Sequence, residues 1–470
     1  MLSQEQIEKI VADVVKELHQ DGEAAPTSAP AEGGCFFDDM DACVDAAVAA
    51  QKAFVKLGME KRKVIVEGIR QAARDNVEML AKAAFEETHY GSFEHKVAKC
   101  LLAADKTPGC EDLEIKALSG DDGLTLIYPA PYGVIGSICP STNPVATVIN
   151  NGIGMAAGGN CVIFAPHPGA KKCTAMAIQV LNDAAVKSGA PAPLFYSVKN
   201  PSVEASQRMM EHPSVRMLAV TGGEGIVKMA MKTGKKVIGA GPGNPPVIVD
   251  ETADIKKAGK DIVDGASFEN CIPCIAEKET FVVESVGNEL VKAMVEAGAQ
   301  LIDSKQVKMV LDTVLINKDG KYVINRDFVG RDASYILEKS GVPLQGKPRL
   351  VVAITEKEHP FVTTEMLMPV MPVVYVKDVD EAIECAVWAE RGCHHSAHMH
   401  SKNVESLTKA SMALDTTIFV KNGPSYAGIG FGGEGHTTFT IATPTGEGLT
   451  SAKSFTRVRR CTLRGSFNIL

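Results

Sequence analysis

The sequence predicts an α/β protein built from two Rossmann-like open-sheet units, and three observations carry that prediction. From about residue 123 to residue 243, apolar strand-like runs alternate with amphipathic helical runs. A second alternating stretch starts near residue 246 and continues past residue 400. Parallel neighbours need helical crossovers, so this alternation marks parallel sheets with helices on both faces. The chain has 470 residues, more than one hydrophobic core supports, which points to two or three domains.

The elements follow in order. The segment MLSQEQIEKIVADVVKEL sets Leu2, Ile7, Ile10, Val11, Val14, Val15 and Leu18 on one helical face, predicting an amphipathic helix over residues 1–20. Residues 21–34, DGEAAPTSAPAEGG, have the composition of a flexible linker. A helix on such a tether cannot bury its apolar stripe against its sequence neighbours. It is expected to dock on the body of the protein, on a sister subunit, or as an address tag in a groove of another protein. From residue 38, two amphipathic helices run to Gly58 and Gly91, and a third covers 92–105. GLTLIYPAPYGVIGSICP reads as strand, turn, strand. NCVIFAP, RMLAVTG and KKVIGA are then strands, separated by the helices GAKKCTAMAIQVLNDAAVKSG and EGIVKMAMKTG.

The seam between the units falls at 244–247. TFVVES and VVAITE are strands of the second unit. The tail SFTRVRRCTLRGSFNIL alternates like a strand with no evident partner inside the chain, so it is expected to pair across a subunit interface. The expected domains are therefore 35–245, with bridging strands near 115–130, then 246–444, then an oligomerisation strand over 445–470.

Composition excludes several classes. At 45% hydrophobic and 23% charged residues, the chain is ordinary for a globular protein. A net charge of −8 without a long basic run argues against nucleic acid. No apolar stretch reaches the ~18–20 residues that cross a bilayer. No signal peptide is evident, so an intracellular protein is expected. Its 12 scattered cysteines should be free thiols, most of them buried.

Local chemistry leaves alternatives open. CPSTNP, residues 139–144, lies at a strand's carboxyl end, where open α/β sheets bind ligands. Its Asn143 offers an amide donor for a developing oxyanion, or is a turn asparagine. TGGEGIV, residues 221–227, is a strand end, a glycine turn and a helix start, an arrangement that suits a phosphate. In ENCIPCIAEKE, residues 269–279, Cys271 and Cys274 read as a redox pair, half of a zinc site, or one nucleophile with a bystander. No second cysteine pair is spaced for zinc, and no metal is expected. The histidines of GCHHSAHMHS, residues 392–401, have no carboxylate at a matching spacing and read as structural.

Taken together, several segments resemble the aldehyde dehydrogenase superfamily, and specifically its CoA-acylating branch of bacterial microcompartments. The resemblance is carried by STNPVATVINN (141–151), GNCVIFAPHPGAKK (159–172), VTGGEGIV (220–227), GAGPGNPPVIVDETADI (239–255) and PCIAEKE (273–279). TTEMLMPVMPVV (363–374), IFVKNGP (418–424) and GGEGHTTFTIATPTGEGLTSAKSF (432–455) continue it in the same order. It implies the aldehyde dehydrogenase fold, with Cys274 as nucleophile, Cys271 as bystander and Asn143 as oxyanion donor. It also implies cofactor contacts from Pro140, Ser141, Thr142, Ala165, Pro166, His167, Thr221, Gly222, Gly223 and Glu365. Glu365 would hold the nicotinamide ribose, and Thr221–Gly223 the pyrophosphate.

Two departures from hydrolytic relatives matter. Their water-activating glutamate falls at Gly239, and their ribose-gripping Lys-Pro-x-Glu becomes Ala165–Pro166–His167–Pro168. Water needs a base to attack a thioester, whereas a thiol of pKa near ~8.5 is already partly thiolate. The resemblance therefore implies NAD-dependent oxidation of a short-chain aldehyde with transfer of the acyl group to coenzyme A. Propanal is favoured, acetaldehyde is the alternative, and a hydrolytic dehydrogenase is the more distant one. It further implies a homodimer or homotetramer in the bacterial cytoplasm, enclosed in a microcompartment by contact between residues 1–18 and a shell protein.

Overall fold

The computed structural model describes residues 34–468. The helix expected over 1–20 and nearly all of the linker over 21–34 lie outside the described residues. A first sheet holds six parallel strands in the order Phe36–Phe37, Phe195–Val198, Cys161–Ala165, Val134–Ile138, Val215–Thr221 and Lys236–Ala240. A second holds seven, in the order Ala299–Ile302, Leu350–Ile354, Val370–Val376, Glu279–Val283, Pro246–Val249, Ser396–His400 and Ile418–Lys421. The expected α/β architecture with two open parallel sheets is what the chain forms.

Chain order explains where a site arises. From Val134–Ile138 the chain winds outward through Cys161–Ala165 and Phe195–Val198, then returns to the other side with Val215–Thr221. The winding direction therefore reverses beside Val134–Ile138, and a crevice opens at the carboxyl ends of the strands there. The helix Pro144–Ala157 leaves this crevice with all of its residues buried. Its sequence PVATVINNGIGMAA is mostly apolar or small, as a helix enclosed on every side requires, and its buried Asn150 and Asn151 are hydrogen-bonded.

Two expectations need correction. The long helix ending at Gly91 is two helices, Met59–Asp75 and Val77–Thr88, broken at Asn76. The Asn76 side chain donates to the Ala72 carbonyl at 2.8 Å, competing with the backbone and ending the first helix. The C-terminal tail does have a partner in the chain. Thr456–Arg464 pairs antiparallel with Gly123–Pro131, which also pairs with Lys116–Gly120. A sequence separation of more than 300 residues hid this pairing from local pattern.

Before that strand, Ala442, Ala452 and Phe455 return to the core of the first sheet. Phe455 is 2% exposed, and its ring lies where a Cβ on Gly154 would approach to 3.3 Å. Phe455→Ala is expected to cost about 3–5 kcal/mol. Urea unfolding checks this: a loss under about 1 kcal/mol would mean that the tail is not anchored through this ring.

Candidate active site

The helix Ile255–Ser267 ends in a loop that leads to the strand Glu279–Val283, and Cys274 sits on that loop. Glu269, Asn270 and Cys271 have φ of 53°, 53° and 64°, so the backbone turns left-handed through consecutive residues. Each such residue costs roughly 1–2 kcal/mol unless the surroundings impose it. Here they do. The Asn270 side chain donates to the Gly330 carbonyl at 3.0 Å and to Asp332 at 2.8 Å. The buried Lys278 ammonium donates to the carbonyls of Cys271 at 2.8 Å and Pro273 at 3.3 Å.

Glu269 is wholly buried between Lys96 at 3.3 Å and Lys99 at 2.5 Å. Burial alone would raise its carboxyl, but Lys99 and then Lys96 override that and hold it below the ordinary value. The Lys99 ammonium also donates to Asn143 Oδ1 at 2.6 Å. Asn143 occupies the N-cap of Pro144–Ala157 without making a side-chain cap bond. Proline at the first helical position removes one backbone donor that would otherwise need capping.

Cys274, Asn143 and Lys99 line one narrow cavity of about 30 Å³. Its remaining walls are mainly apolar: Phe268, Pro273, Ile275, Ile429, Phe439 and Ile441, with Thr438. Burial pushes the Cys274 thiol up to about 12; Glu365 adds to the effect and Lys278 opposes it. Cys271 faces away from this chemistry. Its Sγ donates to the Glu277 carbonyl at 3.4 Å and lies 3.2 Å from Lys278 Nζ, and burial raises its thiol as well.

The other sequence-predicted residues gather at adjacent strand ends. Pro140, Ser141 and Thr142 follow Val134–Ile138, and Ala165, Pro166 and His167 follow the neighbouring strand Cys161–Ala165. Thr221, Gly222 and Gly223 end the strand on the other side and enter the helix Glu224–Met231. Thr221 Oγ1 is 3.0 Å from Thr440 Oγ1. His167 Nδ1 accepts from the Gly169 N–H at 3.1 Å. Glu365 accepts from the Gly243 N–H at 3.5 Å.

At Gly239 there is no room for a longer side chain: a Cβ there would come within 2.8 Å of Val227 Cγ1.

Sequence reasoning missed four residues of this neighbourhood: Lys99, Glu269, Lys278 and His395. A Cβ on Gly243 would lie 2.9 Å from the His395 ring and 3.0 Å from the Cys274 carbonyl, so the histidine packs beside the Cys274 backbone. His395 Nε2 is buried with no hydrogen-bond partner among the described residues. The signal was the GCHHSAHMHS run, but nothing local separates His395 from its structural neighbours. His398 Nε2 donates to the Ile275 carbonyl at 3.0 Å, and His400 lies 4.0 Å from Asp261.

The sequence model of the aldehyde dehydrogenase family matches residues 35–459. The chain belongs to the aldehyde dehydrogenase family. It is 47% identical to an acetylating acetaldehyde dehydrogenase of Escherichia coli (strain K12), over 100% of both chains. A propionaldehyde dehydrogenase of Rhodopseudomonas palustris, solved with bound CoA and an acylated cysteine, superposes with a TM-score of 0.90 at 46% identity. That match covers 93% of this chain and 99% of the other. A propionaldehyde dehydrogenase from the Clostridium phytofermentans fucose utilisation bacterial microcompartment gives a TM-score of 0.90 at 47% identity, covering 92% and 99%.

The buried histidines make one measurable statement. Burial lowers His395 to about 4, His398 to about 3 and His400 to about 4. Below the unfolded value near ~6.5 the unfolded chain takes up protons that these rings refuse, so they lose stability as pH falls from there. Glu277, raised by burial to about 7, acts in the opposite sense. The test is therefore a difference. Between pH 7 and 5, His398→Gln should lose less unfolding free energy than the wild type, by up to about 1.4 kcal/mol per pH unit. Parallel pH profiles in urea titrations would contradict the neutral, buried state of His398.

Proposed function

We propose that the protein oxidises a short aliphatic aldehyde to its acyl-CoA with reduction of NAD, and that Cys274 carries the acyl group. The observation that carries this reading is the shared cavity of Cys274 and Asn143, closed on its other sides by apolar groups. The relative solved with CoA and an acylated cysteine supports it. Propanal is the favoured substrate: the cavity is small and offers apolar walls to a short alkyl chain.

Cys274 Sγ attacks the aldehyde carbon. The Asn143 side-chain NH2 and the Cys274 backbone N–H stabilise the oxygen as it becomes negative. Burial raises the Cys274 thiol, and as the C–S bond forms its proton passes to the former carbonyl oxygen to give the thiohemiacetal. NAD held at the strand ends would supply the hydride acceptor, and the group left on Cys274 would then be a thioester. Thioester exchange with the CoA thiol then frees the cysteine.

The residues at the strand ends fit such a cofactor. Gly223, where a Cβ would meet nothing within 4 Å, opens the turn at the N-terminus of Glu224–Met231. Backbone N–H groups there can face a pyrophosphate. Ala165, Pro166 and His167 would flank the adenosine, and Pro140, Ser141, Thr142 and Glu365 the nicotinamide side. Gly239 supports a thiol as acyl acceptor. The position of the water-activating carboxylate is filled by backbone packed against Val227.

Enclosure in a bacterial microcompartment through residues 1–18, and a dimer or tetramer using the strand Thr456–Arg464, belong to the same proposal. The microcompartment relative supports the first. The exposed outer strand with Val458 and Leu463 supports the second.

Three outcomes check the chemistry. NADH formation from propanal should be sustained only with CoA, should vanish in Cys274→Ala, and should persist in Cys271→Ala. Turnover that ignores CoA would make water the acceptor. Gly239→Glu should destabilise the fold rather than create hydrolytic turnover; a hydrolytic Gly239→Glu variant would show that the site has room for the missing base.

A further inference from the structure

We propose that Lys99 is a positioning residue for the oxyanion donor, forcing the Asn143 amide to turn its NH2 group, and not its carbonyl oxygen, towards the substrate. This rests on the reading of Asn143 as the donor. An asparagine amide can be rotated to present either end, and only one end stabilises negative charge. An ammonium has three donors and no acceptor. With Lys99 Nζ 2.6 Å away, only Oδ1 can face it, so Nδ2 must point to the other side.

Among the described residues, no other close contact makes that choice. Asn143 makes no cap bond to its helix. Its Nδ2 has one long contact, 3.4 Å to Thr142 Oγ1. The NH2 group is thereby oriented yet left free for a ligand in the cavity that Asn143 shares with Cys274.

Lys99 is held in turn. Its side chain is 4% exposed, and Glu269 Oε2 lies 2.5 Å from the ammonium. Glu269 also takes Lys96 at 3.3 Å and the Ser92 N–H at 3.3 Å, so its own place is determined from the helix Phe93–Lys106. Glu269 is the first residue of the left-handed turn that delivers Cys274. One carboxylate therefore sets both the nucleophile loop and, through Lys99, the oxyanion donor. Without the ammonium, Glu269 becomes the nearby acceptor that draws Nδ2 inward, and Oδ1 then faces the developing charge.

The experiment compares Lys99→Met, Asn143→Ala and the double variant in steady-state aldehyde oxidation with CoA, alongside the rate of Cys274 alkylation by iodoacetamide. Alkylation develops no oxyanion, so it reports the placement and thiolate fraction of Cys274 independently of the oxyanion donor. Lys99→Met should lower kcat about tenfold to a hundredfold, with KM for aldehyde and CoA nearly unchanged and alkylation near the wild-type rate. The double variant should be no slower than Asn143→Ala, because a donor that is absent cannot be misoriented. Lys99→Arg, which also carries only donors, should retain most activity. If Lys99→Met yields no soluble protein, Lys99→Ala, which also carries no donor, serves instead and should show the same loss.

A neutral variant with wild-type kcat, losses that multiply in the double variant, or a parallel loss of alkylation would each overturn the proposal. Asn143→Ala at wild-type kcat would instead remove the reading of the donor on which it rests.

Discussion

The left-handed passage through Glu269, Asn270 and Cys271 is the constraint to which the rest of the site answers. It is unfavourable on its own, and buried charges, an asparagine fork and the Glu269 N–H donating to His95 Nδ1 at 3.0 Å hold it. Lys278 grips two carbonyls from within the loop, and Lys96 and Lys99 grip Glu269 from the helix Phe93–Lys106. Removing one partner of such a buried pair leaves an uncompensated charge, which costs more than the contact itself. The nucleophile loop is therefore stiff for an electrostatic reason, and stiffness at Cys274 is what an attacking thiol needs.

The opposite wall depends on a chain of neutral hydrogen bonds. Asn150 accepts from Thr438 and from the Phe439 N–H, and its amide donates to Thr107. Asn151 accepts from Thr440, which meets Thr221. Thr438 pairs with Thr450 at 2.7 Å. These groups are mostly buried, and each finds a partner, so the segment that presents Phe439 and Ile441 to the cavity stays docked on the helix Pro144–Ala157. The same interactions join the cofactor-side strand end at Thr221 to the substrate cavity.

Apolar enclosure has a chemical consequence. Burial raises the Cys274 thiol to about 12 and lowers the His395 ring to about 4. Tight backbone packing at Gly239 then leaves no carboxylate to activate water at that position.

The sequence alone determined the two alternating α/β units, the free cysteines and the segments that mark the family, because these are written in short periods and local motifs. Through resemblance it also named Cys274 and Asn143 as candidate reacting groups. Local pattern did not register the break at Asn76, where a single side-chain bond decides. Nor did it show the pairing of Thr456–Arg464 with Gly123–Pro131. Tertiary structure alone brought Lys99 from one helix, Glu269 from a loop and Asn143 from a third element within hydrogen-bonding reach. Lysines and glutamates look like surface residues in a sequence; only the fold, by removing their water, turns them into partners that decide which way an amide points.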